Sequence, residues 1–198
     1  MRTSGGRILL LAAAVGLAAC SSRESALVKP VGDGQHPADV VSNRQQQVSL
    51  LRRKVVSQLE KKNYRQAIES MNGRNREGLE REYILAVNGL LEAGNNAHSS
   101  GDYATAARTF KWALNAYPVE PSLRDRVSHD PKRIRALLEA CVSRMMEQGL
   151  EEYRRGNLES AITKWKVLLA IRPGHQEAKK ALDTATVQLQ TLQGMKGR

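Results

Sequence analysis

The side chains with the widest chemistry in this 198-residue chain are two cysteines, four histidines and a scatter of carboxylates. His36, His98, His129 and His175 stand far apart, at no ligand spacing to one another or to Cys141. Metal sites draw on His and Cys at close, regular spacing, and nothing here offers it. No nucleophile elbow, phosphate loop or calcium loop is present. The carboxylates alternate with Lys and Arg, as on solvated helix faces. The expectation is a chain that is not an enzyme, with no metal, no cofactor and no small-molecule substrate. Cys20 is the exception, because of what precedes it. Arg2 and Arg7 give a short positive region, and Ile8 to Ala19 is an almost unbroken apolar run of 12 residues. A membrane-spanning helix needs about 20 such residues. This run has the length and flanks of a secretion signal instead.

The run ends in Leu17-Ala18-Ala19-Cys20. This resembles the lipobox of bacterial lipoproteins: an aliphatic residue, two small residues that enter a peptidase cleft, and a cysteine whose thiol accepts a diacylglyceryl group. The resemblance implies that residues 1–19 are a signal peptide and that Cys20 carries a covalent lipid as the chain's sole prosthetic group. Ser21, in place of Asp, favours the outer membrane by resemblance to Gram-negative lipoproteins, with the protein facing the periplasm. A processed N-terminus in that family bears more than one acyl chain, which stable anchoring requires.

Removal of the signal takes the formal charge from +11 to +9, since it contains Arg2 and Arg7 and no acid. Nucleic acid is not the expected partner of an exported chain. The basic residues are also dispersed among acids, with no basic run flanked by stacking aromatics. The densest groups are Arg52-Arg53-Lys54 and Lys61-Lys62. They read either as solvated helix faces or as attraction toward anionic lipid, wall polymer or an acidic protein. Once Cys20 is used by the anchor, Cys141 has no intramolecular partner. Its apolar helical neighbours, Leu137, Leu138 and Met145, suit a small buried hydrophobe; a reactive or intermolecular thiol is the other reading.

The elements that would position any site are helices. Residues 20–38, with Pro30, Gly32, Gly34 and Pro37, read as a flexible tether. The domain then runs over 39–198. Val48, Leu51, Val55 and Leu59 define one apolar helix face. Further helices are expected at about 64–71, 77–99, 103–117, 132–155, 158–171 and 176–193. The three-proline stretch 118–131 reads as a loop or a short irregular excursion. Asp130-Pro131 is a strong helix start, a capping acceptor followed by proline in the first helical position. No period-two strand pattern occurs.

Two segments repeat one set of landmarks. The first is Gly94, Gly101-Asp102-Tyr103, Ala106-Ala107, Phe110, Ala113-Leu114 and Pro118. The second is Gly149, Gly156-Asn157-Leu158, Ala161-Ile162, Trp165, Leu168-Leu169 and Pro173. A weaker third is Lys62-Asn63-Tyr64 with Ala67-Ile68 and Met71. The pattern resembles the tetratricopeptide repeat (TPR). It implies an all-α, TPR-like helical-hairpin solenoid of two to three helix pairs plus a C-terminal capping helix. On this reading Phe110 and Trp165 fill the gap between pairs, and Ala178, Ala181, Leu182, Ala185, Leu189 and Leu192 face the last pair. The two glycine turns lie 55 residues apart, against a family period of about 34. The extra length must sit in 118–131 and in a longer first helix of the second pair.

TPR proteins line a concave groove with the first helix of each pair. Carried over, that gives Asn88, Leu91, Asn95 and His98 from one pair and Ser143, Met146, Leu150 and Tyr153 from the other. Asn95 matches a position that some TPR proteins use to hold a peptide backbone. Trp112, two residues past Phe110, points away from the core side. It is either a contact hot spot or a cover for the 118–131 loop. The expected function is an adaptor or scaffold that binds a protein or peptide of an envelope complex of the assembly or secretion type. The alternative is a basic lipoprotein that binds cell wall or membrane surface through electrostatic contacts.

Overall fold

A computed structural model describes residues 37–71 and 76–196. The expected signal, Cys20 and nearly all of the expected tether lie outside the described residues. From Pro37 onward the chain forms one compact unit. Its helices are α1 Pro37–Glu60, α2 Tyr64–Ser70, α3 Glu80–Ser99, α4 Tyr103–Asn115, α5 Pro121–Arg124, α6 Pro131–Arg154, α7 Leu158–Ile171 and α8 Gln176–Lys196. No strand occurs among the described residues, so the chain is all-α as expected. α1 begins at Pro37, two residues before the expected boundary. Proline suits that position, because its fixed φ is helical and the N–H it lacks would go unpaired there.

Packing follows chain order. α1 lies on α2, α2 on α3, α3 on α4, α4 on α6, α6 on α7 and α7 on α8. A helix with a neighbour on each side must bury more than one narrow stripe. α3 accordingly buries Tyr83, Ile84, Ala86, Val87, Gly89, Leu90, Leu91 and Gly94. α8 has one neighbour of comparable contact, and buries only Ala178 and Ala185 outright. Leu192, expected to face the last pair, is 50 % exposed. The 21-residue α8 outruns the 14-residue α7 beside it, so its last turns have nothing to pack on.

Three hairpins share one turn. Asp102 N–H donates to Ala97 O and Gly101 N–H to His98 O; Asn157 and Gly156 repeat this onto Glu152 and Tyr153; Asn63 and Lys62 repeat it onto Gln58 and Leu59. This is the Schellman closure, which needs its penultimate residue in the left-handed region. Gly101 and Gly156 take φ of 81° and 80°, and Lys62 takes 58°. Asp102 then caps α4, its carboxylate accepting from Thr105 N–H at 3.0 Å. That bond holds its carboxyl below the ordinary value of 3.8.

The rings expected to fill space between pairs sit inside them. A Cβ on Gly94 would come within 2.7 Å of Phe110 Cε1, and one on Gly149 within 2.7 Å of Trp165 Cδ1 and Cε2. The glycines thus open a slot for a ring rather than drawing two backbones together. Gly89 does the same for Tyr64, across α2 and α3, with its would-be Cβ 2.5 Å from Tyr64 Cζ. In the first hairpin Val55 and Met71 stand at the offsets of the glycine and the ring, and both are fully buried. A larger residue on one helix is matched by a slimmer, flexible one on the other. Lys111, on α4, donates from Nζ to Ile171 O at 2.7 Å. That places a cation at the α7 C-terminus, the negative end of its dipole.

Residues 118–130 are ordered. Pro118, Leu123 and Val127 are buried, and α5 is a single proline-started turn between them. Cys141 is fully buried and free, and burial pushes its thiol up to about 11. The small-hydrophobe reading therefore stands.

Candidate functional site

The candidate residues form two groups, on α3 and on α6. These helices pack chiefly on α4 rather than on each other. α4 therefore sets the spacing between the two groups.

On α3, the chain itself occupies part of the expected groove. Asn88 Nδ2–H donates to Arg126 O at 3.0 Å, and Ser128 N–H donates to Asn88 Oδ1 at 2.9 Å. A carboxamide carries donor and acceptor side by side, so it can bracket a stretch of turning backbone in this way. The bracketed backbone is that of residues 126–128. The segment is pinned at its other end by Tyr83, whose buried hydroxyl donates to Ala116 O at 2.7 Å. Burial pushes the Tyr83 phenol up, opposed by the Arg76 guanidinium over its ring. Arg76 also pairs with Glu120, and Arg124 Nε–H donates to Pro118 O at 3.2 Å. Leu91, at 1 % exposure, belongs to the core and offers a partner no surface. Asn95 and His98 are half-buried near the end of α3, where the His98 ring meets Tyr103 edge-on at 5.4 Å.

Asn88→Ala is expected to loosen this segment. Both backbone groups lose a partner, at a cost of about 1–2 kcal/mol for the pair. Arg124 and Arg126 then become better tryptic sites. Faster cleavage at those two bonds under native conditions is the expected readout, and an unchanged digest would show that the bracket does not hold the segment.

On α6, Met146, Leu150 and Tyr153 are half-buried along one side of the helix, and Ser143 beside them is exposed. Tyr153 leans on Trp165 with ring centroids 6.0 Å apart. Its phenol edge and the Met146 and Leu150 side chains are what a ligand would meet. The α6 group is therefore the more available half of the expected groove. Trp112 does not stand free. It is half-buried, with the Arg65 guanidinium 4.0 Å above its ring, and Arg65 is itself held by Glu69 at 2.9 Å.

Two features were not legible as site elements. One is the Asn88 bracket, which joins residues 38 and 40 positions apart. The other is a groove of about 890 Å³ along the first half of α1, lined by Val41, Arg44, Val48, Leu51, Arg52 and Gly78. No group of three or more His, Cys, Asp and Glu converges among the described residues. No described helix is long and apolar enough to cross a membrane. No protein-family model, no curated protein and no solved structure matches the chain.

Proposed function

We propose that this chain is a periplasmic lipoprotein, anchored in the outer membrane through a lipid on Cys20, whose TPR-like helical domain is an adaptor for an envelope assembly or secretion complex. The observation that carries the adaptor reading is the threefold recurrence of one hairpin turn in helices packed in chain order. Stacked hairpins build surfaces for binding rather than enclosed pockets for chemistry. The half-buried stripe Met146, Leu150 and Tyr153 supplies apolar anchors, and Asn95 supplies a backbone-reading amide. The leader residues 1–19, ending in Leu17-Ala18-Ala19-Cys20, support export and acylation.

The test is crosslinking in intact cells, then affinity purification of the full-length chain and mass spectrometry. One envelope-machine component retained at high salt is expected. Asn95→Ala with Tyr153→Ala should cut its capture about tenfold, the loss of one hot-spot contact, with the melting transition still cooperative. Full capture by the folded double variant would sink the groove model. Membrane sedimentation by a Cys20→Ser chain, or no uptake of labelled palmitate by the wild type, would sink the anchor.

A further inference from the structure

The α1–α2 turn departs from its two counterparts in one residue. Gly101 and Gly156 adopt the left-handed conformation that the turn requires, and the first turn places Lys62 there. A side chain in that region strains the backbone, which glycine does not. Strain of this kind persists where the residue has a use. What Lys62 adds is a charged amine at the tip of a hairpin.

That tip is continuous with a charged face. α1 turns Leu51, Val55 and Leu59 toward α2 and α3, and Val48 toward Gly78. The opposite side carries Leu50, Arg53, Lys54 and, past the helix end, Lys61, all exposed. These fall at helical spacing on one stripe. The neighbouring arginines are committed: Arg44 to Glu77, Arg52 to Glu82 and Gly78 O, Arg65 to Glu69. Arg53, Lys54, Lys61 and Lys62 make no ion pair among the described residues, and Glu60 is the one acid between residues 40 and 63.

We propose that the outer face of α1 and the α1–α2 turn, through Arg53, Lys54, Lys61 and Lys62, is a docking surface for an anionic phospholipid bilayer. Charge complementarity carries the assignment. The face is the outer side of a helix, and its long side chains end in cations that no ion pair among the described residues holds. A fluid layer of phosphates asks for charge and reach, not shape. Leu50, 60 % exposed within the stripe, can enter the interface as the cations settle on it. The sequence supplies the proximity. If Cys20 is lipidated, the 16 residues 21–36 keep Pro37 within about 55 Å of the bilayer even when fully extended. The proposal rests on the anchor reading only for what brings the bilayer near.

The experiment removes the anchor, so that its failure is not confused with failure of the surface. Every described core residue lies between Val55 and Ala185, within the compact unit that begins at Pro37. A chain of residues 21–198 is floated with vesicles of phosphatidylglycerol and phosphatidylethanolamine. Wild type should bind at about 50 mM salt, release by about 300 mM as screening shortens, and ignore phosphatidylcholine. Arg53→Ala, Lys54→Ala, Lys61→Ala and Lys62→Gly together should weaken binding at least about tenfold. Arg108→Ala, Lys166→Ala, Lys179→Ala and Lys180→Ala, an equal loss of charge elsewhere, should leave it near wild type. Equal losses in both variants, no binding by wild type, or binding to polyglutamate without binding to vesicles would each overturn the proposal. Lys62→Gly alone gives the sharper signature: the melting temperature should rise by about 2–4 °C as the strain is relieved, while vesicle affinity falls. A stabilised variant that binds vesicles fully would remove the lipid role from Lys62.

Discussion

Gly149→Ala is expected to destabilise the domain by about 2 kcal/mol or more. Alanine is otherwise the best helix former, and at an exposed mid-helix glycine it would gain about 1 kcal/mol. Here its methyl would come within 2.7 Å of Trp165 Cδ1 and Cε2 and closer still to Nε1. The indole is 1 % exposed, has α6 beneath it and Tyr153 against it, and has no flexible end to yield. Overpacking of this kind costs about 1–3 kcal/mol, sometimes more, and must first cancel the propensity gain. Denaturant midpoints give the check, with Trp165→Leu as the partner mutation. Trp165→Leu alone should destabilise, since it leaves a cavity. In the double variant the methyl enters vacated space, so the two losses should not add, and the cycle should show coupling above about 1 kcal/mol. Simple additivity, or a Gly149→Ala protein as stable as wild type, would mean the ring does not rest on the glycine.

That contact also explains an oddity. Trp165 Nε1 is the one described buried side-chain nitrogen or oxygen without a hydrogen-bond partner. An orphan of this kind costs about 1–3 kcal/mol. The same atom is nearest to where a Gly149 side chain would stand. The slot shaped by the missing side chain holds the large ring at full burial, and the apolar area gained offsets the unpaired N–H.

The helices were legible because their signals are local. A Pro after Asp130, a Gly after α3 and after α6, and apolar residues at three- and four-residue steps all act within one or two turns. The repeat landmarks also located the turns, Lys62-Asn63 included. Residues 118–131 were legible as a short irregular excursion, but what holds them in place was not. Three prolines hide an apolar spacing, Pro118, Leu123 and Val127, too short for any period to register. What orders the segment is Asn88, about 40 residues earlier, and no local pattern carries that. The groove residues suffered likewise. Leu91 and Met146 look alike in an amphipathic pattern, yet one is closed over by packing and the other is half open. Gly89 carried an unread signal. A glycine inside a long helix costs about 1 kcal/mol against alanine, and the Tyr64 ring is what occupies its place.

Exchanging the first hairpin's packing into the second should separate slot from sequence. Gly94→Val alone is expected to cost about 3 kcal/mol or more, because a branched side chain meets the fully buried Phe110 ring where even a Cβ lies 2.7 Å from Cε1. Phe110→Met alone should cost about 1–2 kcal/mol, through lost area and a partly filled void. Together they recreate the Val55 and Met71 arrangement, which the same turn geometry already accommodates at full burial. The double variant should therefore recover to within about 1.5 kcal/mol of wild type, as volume-conserving exchanges do. Its stability would then exceed that of Gly94→Val, although it carries one more core substitution. A double variant no better than the sum of its parts would show that Val55 and Met71 are buried separately. The three hairpins would then share their turn and not their interior.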